Sequence, residues 1–208
     1  MVNVFGMQLV NTELLSYSLA IGMTIVCFLS PTLSGIADYL GRKMTFLKIF
    51  CYLGAAACAS LYFFDINHLE LSMLSVILAC IGFWCSYAFA NSFLPEIAAP
   101  DEQDRLSAKG FSLGYIGSVI LLVICLVMIQ VFDREARESF IAVAIWWAGF
   151  AQYTFYHLKE KRNTNTFKSQ VISHGFQALK NVWGEMKQTQ RLRSYLLCLL
   201  YTSPSPRD

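Results

Sequence analysis

The chain has 208 residues, of which 56% are hydrophobic and 14% are charged, and its formal net charge at pH 7 is +2. Soluble domains carry about 25% charged residues, so this composition excludes an ordinary water-soluble protein and points to lipid as the solvent. The near-neutral charge also excludes the basic footprint of a nucleic-acid-binding protein.

Residues 1–13 carry no lysine or arginine and precede five apolar segments. A hydrocarbon core of about 30 Å requires about 20 helical residues. Lipid cannot hydrogen-bond the backbone, so a membrane span is either a helix or a strand of a closed barrel. No segment here alternates like a barrel strand, so we expect helices. The sequence therefore predicts an all-α multi-pass membrane protein. Its bundle occupies residues 1–158, with spans at 14–33, 44–64, 71–94, 111–132 and 140–156, the last only just long enough.

The turn between the first two spans, from Ser34 to Lys43, is short and charged. Gly35 and Gly41 suit a tight reversal, because glycine permits close backbone approach and a positive φ. Arg42 and Lys43 are expected among the lipid headgroups. Asp38, beside these two bases, is either a carboxylate paired locally at a helix end or a functional acid.

No Asp, Glu, Lys or Arg falls in the middle of a span, so uncharged polar side chains are the candidates for a solute pathway. Each of them could instead serve as packing between helices. The candidates are Asn91, Ser86, Tyr87, Trp84, Ser112, Tyr115, Ser118 and Gln152.

Two further features lie around the loop that follows the third span. Glu96, after Pro95, is either a gate residue paired with Arg105 or Lys109, or a plain interfacial cap. Gly110 and Gly114 form a G-x-x-x-G pattern, which indicates a close-packing helix face before it indicates a hinge.

The region after the fifth span differs in composition. Residues 159–193 place apolar side chains at helical spacing among lysines, which predicts an amphipathic linker at the cytoplasmic interface, although a merely solvated basic linker is also open. Residues 194–201 begin a further apolar run that is too short to cross the core. Residues 202–208 are polar and rich in proline, and we expect them to be a non-native tail.

Basic residues set the expected orientation. Alternate loops carry thirteen lysines and arginines on one side and two, Arg134 and Arg137, on the other. The positive-inside rule makes the richer side cytoplasmic, in a cell (inner) membrane. This orientation places Met1 outside, and the simplest expectation is that a span is missing upstream.

Catalytic and metal-binding patterns are lacking. The seven cysteines lie almost entirely in apolar segments, without a Cys-x-x-Cys pair or a cluster of histidines. Small buried hydrophobic residues are the better interpretation of them. No nucleophile elbow, phosphate-binding loop or H-E-x-x-H motif occurs, so we expect no enzyme, no cofactor and no metal.

The turn Gly35-Ile36-Ala37-Asp38-Tyr39-Leu40-Gly41-Arg42-Lys43 resembles the signature loop of the major facilitator superfamily of transporters. Residues 91–98 and 107–117 are similar to the vacuole-effluxer-like branch, whose eukaryotic members are associated with amino-acid export from the vacuole. The likeness covers about residues 4–200. It implies a partial major facilitator fold: a truncated N-terminal helical bundle that lacks the first span and the C-terminal half.

The resemblance also implies roles. Gly35, Asp38, Gly41, Arg42 and Lys43 would form a conformational latch, in which Asp38 and Arg42 hold one access state. The implied function is secondary active transport of a small polar solute, with amino acids as the suggested cargo and a proton or cation as the coupling ion. The alternative is a non-transporting membrane scaffold or an inactive transporter fragment.

Overall fold

A computed structural model describes residues 2–4, 7–9, 11–64, 69–158, 180, 184 and 189–202. Two short strands, Val2–Val4 (β1) and Met7–Leu9 (β2), form an antiparallel hairpin with Val2 opposite Leu9. All other regular structure in these described ranges is helical, as the sequence predicts. The protein is therefore an all-α membrane bundle with a small hairpin ahead of its first helix.

Seven α-helices follow the hairpin in the described ranges. Their bounds are Asn11–Leu40 (α1), Lys43–Ser60 (α2), Leu69–Asn91 (α3), Leu94–Ile97 (α4), Gln103–Gln130 (α5), Glu138–His157 (α6) and Gln190–Thr202 (α7). A 3₁₀ turn at Leu61–Phe63 extends α2.

Four helical segments in the described part of the chain are long and apolar enough to cross a membrane. They are Glu13–Leu40, Lys43–Phe63, Leu69–Ile97 and Gln103–Gln130. The predicted fifth span, 140–156, coincides with α6, which has 20 residues and is therefore about 30 Å long. That length matches the hydrocarbon core, and a fifth crossing at α6 stays a prediction.

The core lies where α2 packs against α3 and α6, while α1 packs mainly on α3. Met44, Leu47 and Cys51 recur at helical spacing on α2 and are buried. They meet Cys85 and Phe89 of α3 in one apolar cluster. The Phe89 ring stacks between α2 rings, with centroid distances of 5.5 Å to Phe46 and 5.9 Å to Phe50.

Two glycines permit the close approach of the central helices. A Cβ atom added to Gly82 of α3 would overlap the backbone of Gly54 on α2. A Cβ atom added to Gly54 would overlap the Trp147 ring of α6. Where the three helices meet, Trp147 fills the space and there is no room for a second side chain.

Helix α5 stands apart from this core. None of its residues is buried, and it touches α4 and α6 only lightly. A Cβ atom added to Gly110, Gly114 or Gly117 would meet nothing within 4 Å among the described residues. The G-x-x-x-G face expected to pack closely therefore has no described helix against it, and it borders an open cleft instead.

The remaining predictions concern the region after α6. Most of the predicted linker, residues 159–193, and most of the predicted tail, residues 202–208, lie outside the described residues. Helix α7 contains the apolar run predicted at 194–201 and begins four residues earlier, at Gln190.

Candidate functional site

The turn between α1 and α2 is tighter than the sequence indicates. Helix α1 continues through Gly35 to Leu40, so Gly41 and Arg42 alone separate it from α2. Gly41 has φ 58°, a left-handed conformation that costs a side-chain-bearing residue about 1–2 kcal/mol. The backbone N–H of Gly41 donates to Asp38 O (3.3 Å) and that of Arg42 to Ala37 O (3.1 Å). These two bonds form a Schellman motif, which satisfies the last carbonyls of α1.

Three charged side chains meet beside this turn. Lys43 Nζ lies 2.9 Å from Asp38 Oδ1 and 2.8 Å from Glu96 Oε1. The Lys43 side chain is only 20% exposed, against 54% for Asp38 and 30% for Glu96. We call these three residues the Lys43 cluster. It ties the end of α1 and the start of α2 to α4. Lys43 and Glu96 are 53 positions apart in the sequence.

The pairing in this cluster differs from the one expected from sequence. The resemblance implied that Asp38 acts together with Arg42. Glu96, as a gate residue, was expected to pair with Arg105 or Lys109. In the structure one lysine takes both carboxylates. Arg42 is exposed and makes no ion pair with the described residues. After the Schellman turn it is the next residue, Lys43, that lies between Asp38 of α1 and Glu96 of α4.

A cleft of about 410 Å³ opens between α3 and α5, with α4 at one end. Its polar groups are hydroxyls and one amide, and no acidic or basic side chain of the described residues lines it. We call it the α3–α5 cleft. The polar lining residues are Tyr87, Asn91, Ser107, Tyr115 and Ser118.

A second cavity of about 650 Å³ adjoins this cleft and reaches α2 and α6. The two share Tyr87, Ala90 and Gly114 as lining residues. The second cavity is mostly apolar and aromatic, with rings from Phe83, Tyr87, Trp146, Trp147, Phe150 and Phe155. A continuous groove therefore runs from a polar region beside α4 to an aromatic region against α6.

The predicted pathway residues fall in different places. Asn91 and Tyr115 both line the α3–α5 cleft, from opposite helices. Trp84 lines neither cavity, and its ring packs edge-on against Tyr87 at 6.1 Å. Glu96 belongs to the Lys43 cluster, directly beside the cleft residues Leu94 and Ile97.

Gln152 also lies outside both cavities. Its amide oxygen accepts a hydrogen bond from Tyr52 Oη at 3.1 Å, and its Nε2 donates to Ala148 O at 2.9 Å. These contacts join α2 to α6. Its position therefore agrees with the packing interpretation considered for such polar residues.

Several residues that line the cleft were not among the sequence candidates, and Ser107 and Phe111 are two of them. Ser107 and Phe111 both face the cleft from α5. The available signal was their helical spacing with Tyr115, since 107, 111 and 115 lie on one face of a helix.

The two arginines of the loop between α5 and α6 are paired with acidic residues. Arg134 pairs with Glu138 at 3.7 Å, and Arg137 pairs with Glu135. The Arg137 guanidinium also lies 5.6 Å from the Tyr62 ring centroid. Its hydrogen bond and charge lower the pKa of the Glu135 carboxyl below the usual value. The two bases are thus locally neutralised.

Comparison with known proteins identifies the family. The model of the family described as "Vacuole effluxer Atg22 like" matches residues 1–203, nearly the whole chain. The chain belongs to this family. The resemblance to the vacuole-effluxer-like branch of the major facilitators is thereby confirmed.

Several relatives are named as transporters or autophagy proteins. An uncharacterized MFS-type transporter, YxiO of Bacillus subtilis, is 29% identical over 200 residues, covering 92% of this chain and 46% of the relative. Autophagy-related protein 22-1 of Phaeosphaeria nodorum is 22% identical, covering 86% of this chain and 40% of the relative. The chain thus spans less than half the length of these relatives. No solved structure matches the chain.

Proposed function

We propose that this member of the Atg22-like family is part of a secondary active transporter that moves a small polar solute by alternating access. The observation that carries the proposal is that α4 contributes residues to both the α3–α5 cleft and the Lys43 cluster. Glu96 stands between Leu94 and Ile97, which line the cleft. A solute pathway needs a polar cavity and a nearby contact that can form and break, and the α3–α5 cleft and the Lys43 cluster are adjacent here.

The Lys43 cluster can act as a latch on α4. While Lys43 holds Glu96, α4 is fixed against the α1–α2 turn and closes one end of the cleft. Release of Glu96 would let α4 and the start of α5 move away from α3. Partly exposed ion pairs contribute about 0.2–1 kcal/mol each, which shifts a two-state equilibrium only a few-fold. Such a latch is weak enough to open in every transport cycle.

The cargo proposal follows from the cleft's chemistry and from the family description. Hydroxyls, an amide and aromatic rings suit a small polar or zwitterionic solute, and amino acids are the candidate class. No carboxylate or base of the described residues lines the cleft, so a coupling proton or cation would have to be carried elsewhere. The Asp38 and Glu96 carboxylates of the Lys43 cluster are candidates for this role.

The test is flux through the protein at the full length of its relatives, reconstituted in vesicles and supplied with labelled amino acids. We expect Asp38→Asn to lower uptake or efflux a few-fold while membrane insertion stays intact, because the neutral amide no longer holds Lys43 as an ion pair. Asp101→Asn, a charge change of the same kind on the exposed loop before α5, is the matched control. Undiminished flux in the Asp38→Asn protein would reject the latch.

The alternative, a non-transporting scaffold or inactive transporter fragment, is favoured by one observation. Helix α5 has no buried residue, so one wall of the cleft is unsupported in the described part of this chain. Flux by the full-length protein together with none by the 208-residue chain would identify an inactive fragment. No flux in either, with both correctly inserted, would identify a scaffold.

A further inference from the structure

A second basic residue, Lys48, lies on α2 where this helix meets α6. Lys48 is exposed, and its Nζ lies 5.4 Å from the Phe155 ring centroid on α6. Lys48 makes no ion pair within 4 Å with any residue of the described ranges. We call Lys48, Phe155, Tyr52 and Gln152 the Lys48 surface. Lys48, Tyr52 and Gln152 are exposed, whereas Phe155 is half-buried and also lines the second cavity.

The depth of this surface follows from its neighbours. Lys48 is five residues beyond Lys43, which is about 7.5 Å along the helix axis. On α6, Tyr153 is 68% exposed and Tyr156 is 82% exposed. Their rings contact His157, with centroid distances of 4.1 and 5.1 Å. Exposed tyrosines of this kind concentrate where headgroups meet hydrocarbon, so Lys48 lies at that boundary.

The hydrogen-bonding groups below Lys48 are already satisfied. Tyr52 and Gln152 bond to each other, and Gln152 also donates to Ala148 O. The Lys48 ammonium, with three donors, is therefore the open polar group of this surface. The side chains that flank it, Ile49 at 53% exposure and Leu53 at 36%, are apolar and suit an acyl chain.

We infer that the Lys48 surface binds the headgroup phosphate of an anionic phospholipid. The ammonium supplies the charge that the phosphate requires, the Phe155 face holds the lysine in place, and the apolar flank accepts the chain below. Basic pockets between membrane helices bind anionic headgroups by this chemistry. The inference does not rest on the proposed transport function, although Phe155 also lines the second cavity.

Native mass spectrometry of the detergent-solubilised 208-residue chain tests the inference. The protein is titrated with phosphatidylglycerol or with phosphatidylcholine carrying the same acyl chains, and the occupancy of the first bound lipid is measured. We expect tighter binding of phosphatidylglycerol. Lys48→Gln should weaken that binding about fivefold and leave phosphatidylcholine binding unchanged, because one lysine near an anionic surface contributes about this much.

Two further variants keep the test decisive. Lys109→Gln removes the same charge from an exposed position on α5 and should leave phosphatidylglycerol binding intact. Phe155→Leu keeps the charge but removes the ring, and should weaken phosphatidylglycerol binding about two- to fivefold. Equal losses in the Lys48 and Lys109 variants, or no loss at Lys48 in a protein with an unchanged helical circular dichroism spectrum, would overturn the inference.

Discussion

Gly41 shows how one residue determines the geometry of the turn. Its φ of 58° lets the backbone reverse in two residues, so that Asp38 and Lys43 come within 2.9 Å. A longer connection would separate them, and the Lys43 cluster would lose its first member. The glycine at position 41 is therefore required by conformation, whereas Gly35 lies in ordinary helix within α1.

Substitution of this glycine should destabilise the turn. We expect Gly41→Ala to lower the free energy of unfolding by about 1–2 kcal/mol, because a Cβ atom disfavours the left-handed conformation. Gly149→Ala in α6, where a Cβ atom meets nothing within 4 Å of the described structure, should be neutral or stabilising by up to about 1 kcal/mol. Denaturation of both variants in detergent micelles measures the difference. Equal effects would contradict the strained turn.

The Lys43–Glu96 ion pair was not expected from the sequence, which suggested Arg105 or Lys109 as the partner of Glu96. A double-mutant cycle of Lys43→Gln and Glu96→Gln should give a coupling energy of about 0.2–1 kcal/mol, typical of a partly exposed pair. The cycle of Arg105→Gln with Glu96→Gln should give none. A coupling through Arg105 and none through Lys43 would reject the observed pairing.

At the scale of elements, α2 is the helix on which the bundle is built. It contacts α3 through Gly54 and Gly82 and contacts α6 through Trp147, all at one level. Small residues at such crossings let backbones approach closely, which is how helices associate where lipid offers no hydrophobic driving force. Residues 54–57 of α2 are all small, but the sequence gives no sign of which helices meet there.

The crossing can be tested by filling it. We expect Gly82→Ala to lower stability by about 1–3 kcal/mol, because its Cβ atom would overlap the Gly54 backbone, which cannot move aside as a side chain can. Gly114→Ala on α5, where a Cβ atom meets only open space, is the matched control. Thermal unfolding of the two variants compares them, and a Gly82→Ala protein as stable as the control would contradict the close approach.

At the scale of the whole molecule, the described helices divide into a packed set and a loose one. Helices α1, α2, α3 and α6 share the core, whereas α5 leaves a groove along α3 and α6. The proposed transport pathway depends on this division, because the groove exists only where α5 stands away. The proposed lipid site lies at the α2–α6 contact, where Phe155 separates Lys48 from the second cavity that it lines.

Orientation is the whole-molecule prediction. We expect the end that carries Arg42 and Lys43 to face the cytoplasm, because basic residues accumulate on that side. After replacement of the native cysteines, Arg42→Cys should react with a membrane-impermeant maleimide only in permeabilised cells, and Ala136→Cys in the opposite loop should react in intact cells. Labelling of position 42 in intact cells would reverse the proposed orientation.

The amino-acid sequence by itself determined the solvent, the helical class and the place of the α1–α2 turn. These follow from local properties: apolar content, segment length and a charged turn with glycines. Tertiary structure alone decided that Lys43, rather than Arg42, Arg105 or Lys109, holds Asp38 and Glu96, and that Asn91 and Tyr115 share a cleft while Gln152 does not. Residues on different helices, such as Lys43 and Glu96 at 53 positions apart, are brought together by helix rotation and crossing, which apolar periodicity within one segment does not specify.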